Sequence, residues 1–241
     1  MERPYVFCHM LISLNGKIMG HYMNTPECEA AGEVFDRIAF GDHPFYRHQG
    51  WISGRVTTDD NFTLYAEPEL AADAAPVPAG DFLAEGAGAP WYISIDPSGR
   101  LGWKENFVDY GGLHASVLEV LTERASNAYR DFLRRRNISY VVCGAERLDA
   151  VLLLKKLKAD LHLDTVMLGG GGIVNWSFLQ QGLCDEVSLV MAAAADGDRD
   201  TKSVFDVKPG LSDSAPVRFS LLEAKPMEGG SVWLRYRVLH A

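Results

Sequence analysis

The sequence predicts an α/β protein with a mostly parallel central sheet and an antiparallel hairpin at its C-terminal end. Strand-length apolar runs alternate with helical segments from about residue 116 onward, and this alternation favours parallel pairing through crossover helices. Residues 4–14 form a nearly continuous apolar run, which indicates a strand buried on both faces. Residues 217–239 alternate in polarity around Glu228-Gly229-Gly230, as in a hairpin at a sheet edge.

Composition narrows the function classes. The 241 residues are 47% hydrophobic and 23% charged, which is ordinary for a globular protein able to bury a large core. A net charge of −9 argues against a nucleic-acid-binding surface. The four cysteines lack Cys-x-x-Cys spacing, and the sequence shows neither a signal peptide nor an apolar run that could span a bilayer. We therefore expect a cytoplasmic protein without a membrane partner.

The first strand ends at a turn that carries a candidate site residue. Asn15-Gly16 is a strong turn signal, and Lys17 follows it directly, at the predicted mouth of the sheet. An exposed lysine is the ordinary interpretation of Lys17. A ligand-binding lysine just beyond a buried strand is the alternative, because functional side chains collect on loops at strand ends.

A helix is predicted over residues 26–38. Thr25 is its expected N-cap, and proline occupies its first position. The following residues, 41–50, are predicted to form a loop. His43 and His48 lie in this loop without a third ligand at metal-binding spacing, so no metal site is expected.

A short strand over residues 50–53 is followed by a candidate phosphate-binding turn, Gly54-Arg55-Val56-Thr57. The glycine permits the turn, the Arg55 guanidinium can fork onto phosphate oxygens, and the Thr57 hydroxyl adds a donor. This chemistry suits an adenosine 2′-phosphate. Residues 66–90 are rich in alanine, proline, glycine and acids, which predicts a flexible insertion within one domain covering residues 1–241.

Order is predicted to resume with a strand over residues 91–95. Asp96 follows this strand, and it either caps the turn or faces a ligand, because ligands of open α/β sheets bind at strand ends. The remaining strands are predicted over 116–121, 138–143, 165–168 and 186–192, with helices over 125–136, 149–159 and 174–181.

Four consecutive glycines, Gly169 to Gly172, separate the strand over 165–168 from the next helix. Residues without a Cβ let a ligand approach the backbone, and the N-terminus of a helix favours an anion. A flexible turn is the alternative. The run has neither the Gly-x-Gly-x-x-Gly spacing nor the Lys-Ser/Thr of a P-loop, so a different type of phosphate site is expected.

Several blocks in the same order carry a family resemblance. They are Ile12-Ser-Leu-Asn-Gly-Lys-Ile18, Gly54-Arg-Val-Thr57, Ile93-Ser-Ile-Asp96 with Arg100, and residues 169–182 followed by Asp185-Glu186. Together they resemble the reductase domain of riboflavin biosynthesis. The first block is similar to that family's Ser-Leu-Asp-Gly-Lys-Ile, and the last to its Glu-Gly-Gly-Gly-x-Leu-Asn and Gly-Leu-Val-Asp-Glu. The resemblance implies a dihydrofolate-reductase-like fold of three α/β/α layers.

The resemblance also implies a function. In this family NADPH reduces C1′ of a ribosylamino-pyrimidine 5′-phosphate to the ribityl product, and the enzymes are commonly homodimers. By position, Asn15 and Lys17 are expected to face the substrate as catalytic residues, with Asp96, Arg100 and Glu33 as further substrate-binding candidates. The expected NADPH-binding residues are Gly54, Arg55, Thr57, Thr58, Gly144, Gly169, Gly170, Gly171, Gly172, Ile173 and Val174.

Two positions depart from the family pattern. Asn15 stands where the family has Asp, and Gly169 stands where it has a substrate-contacting Glu. Asparagine can hydrogen-bond but carries no charge, and the glycine removes an acceptor. Loss of a polar contact changes discrimination, so a different substrate is an open possibility.

Three other functions stay open at this stage. A pterin reductase needs a helix carboxylate beneath the pteridine, and Glu33 or Asp36 is the candidate for it. A reductase of the same fold with another imine or carbonyl substrate is the second. The third is a non-catalytic NADPH-binding protein.

Overall fold

Ten strands and five α-helices are described in residues 2–240 of the computed structural model. The strands are β1 (Tyr5–Ile12), β2 (Gly50–Gly54), β3 (Trp91–Ile95), β4 (Phe107–Tyr110), β5 (Leu113–Leu121), β6 (Ser139–Val142), β7 (Thr165–Leu168), β8 (Glu186–Met191), β9 (Arg218–Pro226) and β10 (Val232–Leu239). The helices are α1 (Pro26–Ala39), α2 (Arg55–Thr58), α3 (Asn127–Arg135), α4 (Ala150–Ala159) and α5 (Gly172–Gln180). They belong to two compact units, and the predicted single domain stays a prediction.

The first unit contains residues 49–164 together with residues 2–4. Its strands follow the order β4-β5-β3-β2, and β6 also pairs with β5. All pairs are parallel except β4 with β5. The sequence analysis missed β4, and it started β5 three residues late, because the antiparallel β4–β5 ladder lies outside the regular strand–helix alternation.

The second unit contains residues 5–48 and 165–240. Its strands follow the order β7-β1-β8-β10-β9. Strand β1 pairs in parallel with β7 and β8, whereas β10 pairs antiparallel with β8 and β9. The predicted buried central strand and C-terminal hairpin are therefore both confirmed, as is the mostly parallel character of the strand pairing.

Local capping signals located the helices well. Thr25 caps α1 by accepting from the Cys28 N–H at 3.2 Å, and Gly182 follows α5 at φ +67, as predicted. Helix α5 nevertheless begins at the fourth glycine, two residues earlier than predicted. Helix α3 begins later than predicted because the Ser126 hydroxyl accepts from the Tyr129 N–H at 3.1 Å.

The turn predicted to begin at Gly54 is helical from Arg55 onward, so the predicted turn is wrong. Helix α2 continues into a π-helical turn, Asp59–Thr63. Side chains four residues apart stabilise it: Arg55 pairs with Asp59 at 2.8 Å, and the Thr63 hydroxyl donates to the other Asp59 oxygen at 2.7 Å. These contacts compensate for the poor helix propensity of a threonine- and aspartate-rich segment.

Residues 66–90 contain little regular structure, but they contact β6, α3 and α4 of the same unit. Phe82 exchanges two backbone hydrogen bonds of 2.8 Å with Tyr140 of β6. Asp81 pairs with Lys156, and the Asn127 side chain bonds the backbone of residues 74, 75 and 77. The segment thus covers the edge of β6 in this structure, and its flexibility stays a prediction.

A buried histidine links three elements of the second unit. The Trp233 indole N–H donates to Ser188 Oγ at 2.8 Å, and Ser188 lies 2.9 Å from His9 Nδ1. His9 Nε2 lies 3.1 Å from the Phe35 carbonyl, which can only accept. Nε2 therefore carries the proton and Nδ1 accepts from Ser188. Burial lowers the pKa of His9 from 6.5 to about 4, so the ring is neutral.

We expect His9 to make the protein less stable in mild acid. The folded-state pKa is depressed, so stability is full above pH 6.5 and is lost as pH falls towards 4. Between pH 7.5 and pH 5 this group should remove roughly 2 kcal/mol of unfolding free energy. In urea unfolding, His9→Gln should lose about 2 kcal/mol less unfolding free energy than the wild type between pH 7.5 and pH 5. The control His43→Gln changes an exposed residue and should lose as much unfolding free energy as the wild type. If His9→Gln also loses as much as the wild type, the expectation is wrong.

Candidate active site

The glycine run forms a tight bend directly before α5. Gly170 has φ +108, and its peptide bond to Gly171 is cis. A Cβ at Gly170 would lie 3.2 Å from Met10 Cε, so the bend lies close against β1. Gly171 occupies the N-cap position, and no side chain caps the helix. The N-cap residue therefore does not occupy the first backbone N–H groups of α5, and an uncapped helix N-terminus favours an anion.

Gly172 permits a second close approach. A Cβ at this residue would lie 2.2 Å from the Ser203 carbonyl oxygen and 2.9 Å from Asp206 Oδ2. The Asp206 N–H donates to the Gly172 carbonyl at 3.1 Å, and Asp206 Oδ2 accepts from the Ser203 N–H at 3.2 Å. Residues 203–206 therefore lie directly against the first turn of α5. Only a residue without a side chain fits there.

Asn15 connects its turn to the loop that follows β8. Its Nδ2 donates to the Asp196 carbonyl at 2.7 Å, and its Oδ1 accepts from the Ser13 hydroxyl at 2.8 Å and the Asp196 N–H at 3.2 Å. An ionised aspartate at this position could not donate to a carbonyl. The contact with Asp196 therefore gives a structural reason for asparagine here.

Lys17 lies on the same loop and is half-buried. Its ammonium donates to the Thr201 carbonyl at 2.7 Å and lies 3.5 Å from the Arg199 carbonyl. Its backbone forms an antiparallel bridge with Ser203. The structure thus brings three predicted features, Asn15, Lys17 and the glycine run, onto one connecting segment, residues 194–206.

The predicted adenosine-binding residues lie in the first unit. Gly54 is buried at the end of β2, and Arg55 is half-exposed and paired with Asp59. Thr57 is half-buried. Thr58 is fully buried, and its hydroxyl contacts Tyr92 at 2.8 Å and Ser94 at 3.0 Å. The Thr58 hydroxyl therefore serves strand β3 and is not presented to a ligand in this structure.

The other predicted site residues either have structural roles or lie exposed on the surface. Gly144, at φ +108, makes a turn after β6, and a Cβ there would lie 2.1 Å from the Arg147 carbonyl oxygen. Asp96 caps its own turn by accepting from the backbone N–H groups of Arg100 and Leu101. The Arg100 side chain is exposed, and Glu33 is exposed on α1.

A buried acid beside Asp96 was missed by the sequence analysis. Glu119 lies in β5 opposite Ser94, is fully buried, and accepts from the Trp103 indole N–H. Glu119 Oε2 and Asp96 Oδ1 have no hydrogen-bond partner among the described residues. Burial, and then the charge of Asp96, raises the pKa of Glu119 well above its ordinary value. Burial likewise raises the pKa of Asp96. A charged residue inside the apolar run of a central strand was the available signal.

Residues 2–240 contain neither a metal-binding cluster nor a membrane-spanning helix. No cluster of three or more histidine, cysteine, aspartate or glutamate side chains is arranged to bind a metal ion. No described helix combines the length and apolar character needed to cross a membrane.

Known proteins with similar sequences are riboflavin-pathway enzymes or domains. The model of the RibD C-terminal domain matches residues 4–232. The 2,5-diamino-6-ribosylamino-4(3H)-pyrimidinone 5′-phosphate reductase of Methanothermobacter thermautotrophicus is 38% identical over 204 residues, covering 85% of this chain and 84% of that protein.

Solved structures agree on the fold. A pyrimidine reductase-like protein from Corynebacterium diphtheriae superimposes with a TM-score of 0.67 at 17% identity, covering 99% of this chain and 93% of its own. The riboflavin biosynthesis reductase Rib7 of Saccharomyces cerevisiae gives a TM-score of 0.58 at 16% identity, covering 98% and 90%. These matches confirm the predicted dihydrofolate-reductase-like α/β fold.

We expect Glu119 to make folding take up a proton as pH rises above the ordinary pKa range of glutamate. Its folded-state pKa is raised, so stability is full below the unfolded pKa and is lost as pH rises above it. Glu119→Gln keeps an acceptor for Trp103 but cannot ionise. Its unfolding free energy, measured in urea, should fall less than that of the wild type between pH 5 and pH 8. The exposed-residue control Glu123→Gln should match the wild type, and equal slopes for all three proteins would rule out this role for Glu119.

Proposed function

This chain belongs to the RibD C-terminal domain family and is a reductase, and from that premise we propose the NADPH-dependent reduction of a ribosylamino-pyrimidine 5′-phosphate. The reaction would convert the ribosyl C1′ of the substrate to the ribityl product. One observation carries the proposal: the relative with 38% identity over 85% of this chain is a 2,5-diamino-6-ribosylamino-4(3H)-pyrimidinone 5′-phosphate reductase.

The geometry of the glycine run supports a dinucleotide as the reductant. Gly170 keeps a side chain out of the tight bend, and α5 begins without a side-chain cap. Free N–H groups at a helix N-terminus suit the pyrophosphate of such a cofactor. We assign this contact to Gly170, Gly171 and Gly172, with Ile173 and Val174 beside it. When bound, the reduced nicotinamide supplies a hydride to an electrophilic carbon.

Arg55 is the residue that we propose selects NADPH over NADH. Its guanidinium is half-exposed, and only Nη1 is engaged with Asp59. The remaining donors can fork onto a 2′-phosphate. Thr57 can add a hydroxyl donor, whereas Thr58 contributes at most its backbone.

Lys17 is the proposed catalytic cation. The carbonyls of Thr201 and Arg199 fix the position of the ammonium, and one of its three donors stays available. A fixed cation stabilises negative charge on a substrate phosphate or on a developing alkoxide. Asn15 orients the same loop, and the exposed Arg100 guanidinium is the second candidate for the substrate phosphate.

We also propose that the protein acts as a homodimer in the cytoplasm. Strand β9 is the outermost strand of the second unit and is largely exposed. Leu221 and Leu222 lie exposed on it, and exposed apolar side chains on an edge strand suit contact with a second copy.

Cofactor choice tests the assignment of Arg55. We expect the protein to bind NADPH more tightly than NADH in fluorescence titrations. Arg55→Ala should weaken NADPH binding roughly tenfold to a hundredfold, because charge-assisted hydrogen bonds to the 2′-phosphate are lost. NADH binding should stay the same. Arg135→Ala is the matched control, since Arg135 forms a similar i,i+4 pair with Asp131 at 2.8 Å. Unchanged selectivity in Arg55→Ala would count against the assignment.

Turnover tests the reaction itself. With NADPH and 2,5-diamino-6-ribosylamino-4(3H)-pyrimidinone 5′-phosphate, mass spectrometry should detect a product that carries two more hydrogens. Lys17→Met should lower kcat/KM about a hundredfold, because a fixed cation is lost where charge develops. Lys208→Met removes an exposed lysine that lies beyond the segment contacting Lys17, and it should keep wild-type activity. NADPH binding without product formation would indicate a non-catalytic binding protein. Turnover of a pterin in place of the pyrimidine would contradict the proposed substrate.

A further inference from the structure

Val204 connects two parts of the second unit that are distant in sequence. Its N–H donates to the Gly16 carbonyl at 2.9 Å, and its carbonyl accepts from Asn175 Nδ2 at 3.1 Å. The Val204 side chain is itself buried. One residue thus joins the turn that carries Lys17 to the first turns of α5.

Asn175 makes this connection although its burial is energetically unfavourable. It is fully buried on α5, and its Oδ1 has no partner among the described residues. A buried acceptor without a partner is unfavourable, and an apolar side chain would avoid that penalty. The opposite amide orientation would set Oδ1 against the Val204 carbonyl oxygen, so the donor must face Val204. The position therefore keeps asparagine for its N–H donor.

The Lys17 side of the connection is held at several points. The Ile18 N–H donates to the Lys202 carbonyl at 3.0 Å, on the other side of the bridge between Lys17 and Ser203. The Lys17 ammonium donates to the Thr201 carbonyl. Both the backbone and the charged end of Lys17 therefore depend on where residues 201–204 lie.

The glycine side fixes the same residues. The Ser203 carbonyl lies against Gly172, and Asp206 bonds the Gly172 carbonyl and the Ser203 N–H. These contacts set the distance between segment and helix. The Asn175–Val204 hydrogen bond attaches the segment to α5 at a further point, three residues along the helix from Gly172.

We propose that Asn175 is a positioning residue for the reduction, a role that rests on the function proposed above. Through Val204 it holds the Lys17 turn in register with the glycine run. Asn175 acts without touching substrate, because it is fully buried. Its loss should therefore affect the use of the substrate by Lys17 more than the binding of the dinucleotide.

Amide hydrogen exchange tests the connection without any ligand. In Asn175→Leu the amides of residues 16–18 and of Val204 should exchange about tenfold faster than in the wild type, since one hydrogen bond restraining them is lost. Ser177→Ala is the matched control. Ser177 is also buried on α5, but its hydroxyl donates to the Val174 carbonyl of the same helix at 2.9 Å. If Asn175→Leu does not fold, Asn175→Ala serves in its place.

Steady-state kinetics test the role in the reaction. Asn175→Leu should raise the substrate KM or lower kcat so that kcat/KM falls about tenfold to a hundredfold, as expected for a misplaced catalytic group. The Kd for NADPH should change less than about twofold, well under the loss expected for a direct phosphate contact. In the Lys17→Met background the Asn175 substitution should have little further effect, because both act through one group.

The outcomes separate this proposal from the function on which it rests. Unchanged exchange at residues 16–18, or fully multiplicative effects of the Asn175 and Lys17 substitutions, would overturn the positioning role. Equal losses in Ser177→Ala would do the same, since they would indicate general destabilisation. If the wild type neither binds NADPH nor turns over substrate, the function fails, while the exchange comparison still decides whether Asn175 positions the Lys17 turn.

Discussion

The contact between the Ser203 carbonyl and Gly172 constrains much of the second unit. Because a Cβ at residue 172 would lie 2.2 Å from that oxygen, the segment can lie against α5 only if the helix begins with glycine. The same arrangement leaves the helix without a side-chain cap and gives Asp206 and Val204 their partners. The uncapped first turn of α5 and the segment that supports Lys17 therefore meet at Gly172.

Two sites with buried carboxyl groups differ in how the charge is compensated. In the second unit Glu186 is buried, but it is bonded to Tyr5, Tyr46 and Arg235, so its charge is compensated. In the first unit Glu119 and Asp96 each keep an oxygen that has no hydrogen-bond partner within residues 2–240. A buried carboxylate with charged and hydroxyl partners can stay ionised. A buried carboxyl group that lacks such partners is favoured in its protonated form. Glu119 and Asp96 therefore make the stability of the first unit depend on pH.

Local signals in the sequence were sufficient for the strand, glycine bend and helix, and for the Thr25 cap, since the residues involved are neighbours in the chain. They failed for α2, where the ion pair between Arg55 and Asp59 stabilises a helix in a segment of weak propensity. They also failed for the connection between Asn175 and Val204, because hydrogen bonds between residues far apart leave no periodic pattern. The family resemblance supplied the fold and the reaction class, whereas the contacts of Asn15 required coordinates.

The segment that pairs Phe82 with Tyr140 has a consequence for solubility. Strand β6 pairs with β5 on one side, and the backbone of Phe82 occupies part of its other side. An open strand edge is a template for association with other chains. A shortened protein lacking residues 66–90 would expose that template, together with the ring of Tyr140, and would be prone to aggregate. Residues 66–90 thus cover a strand edge that would otherwise favour self-association. This role is independent of catalysis.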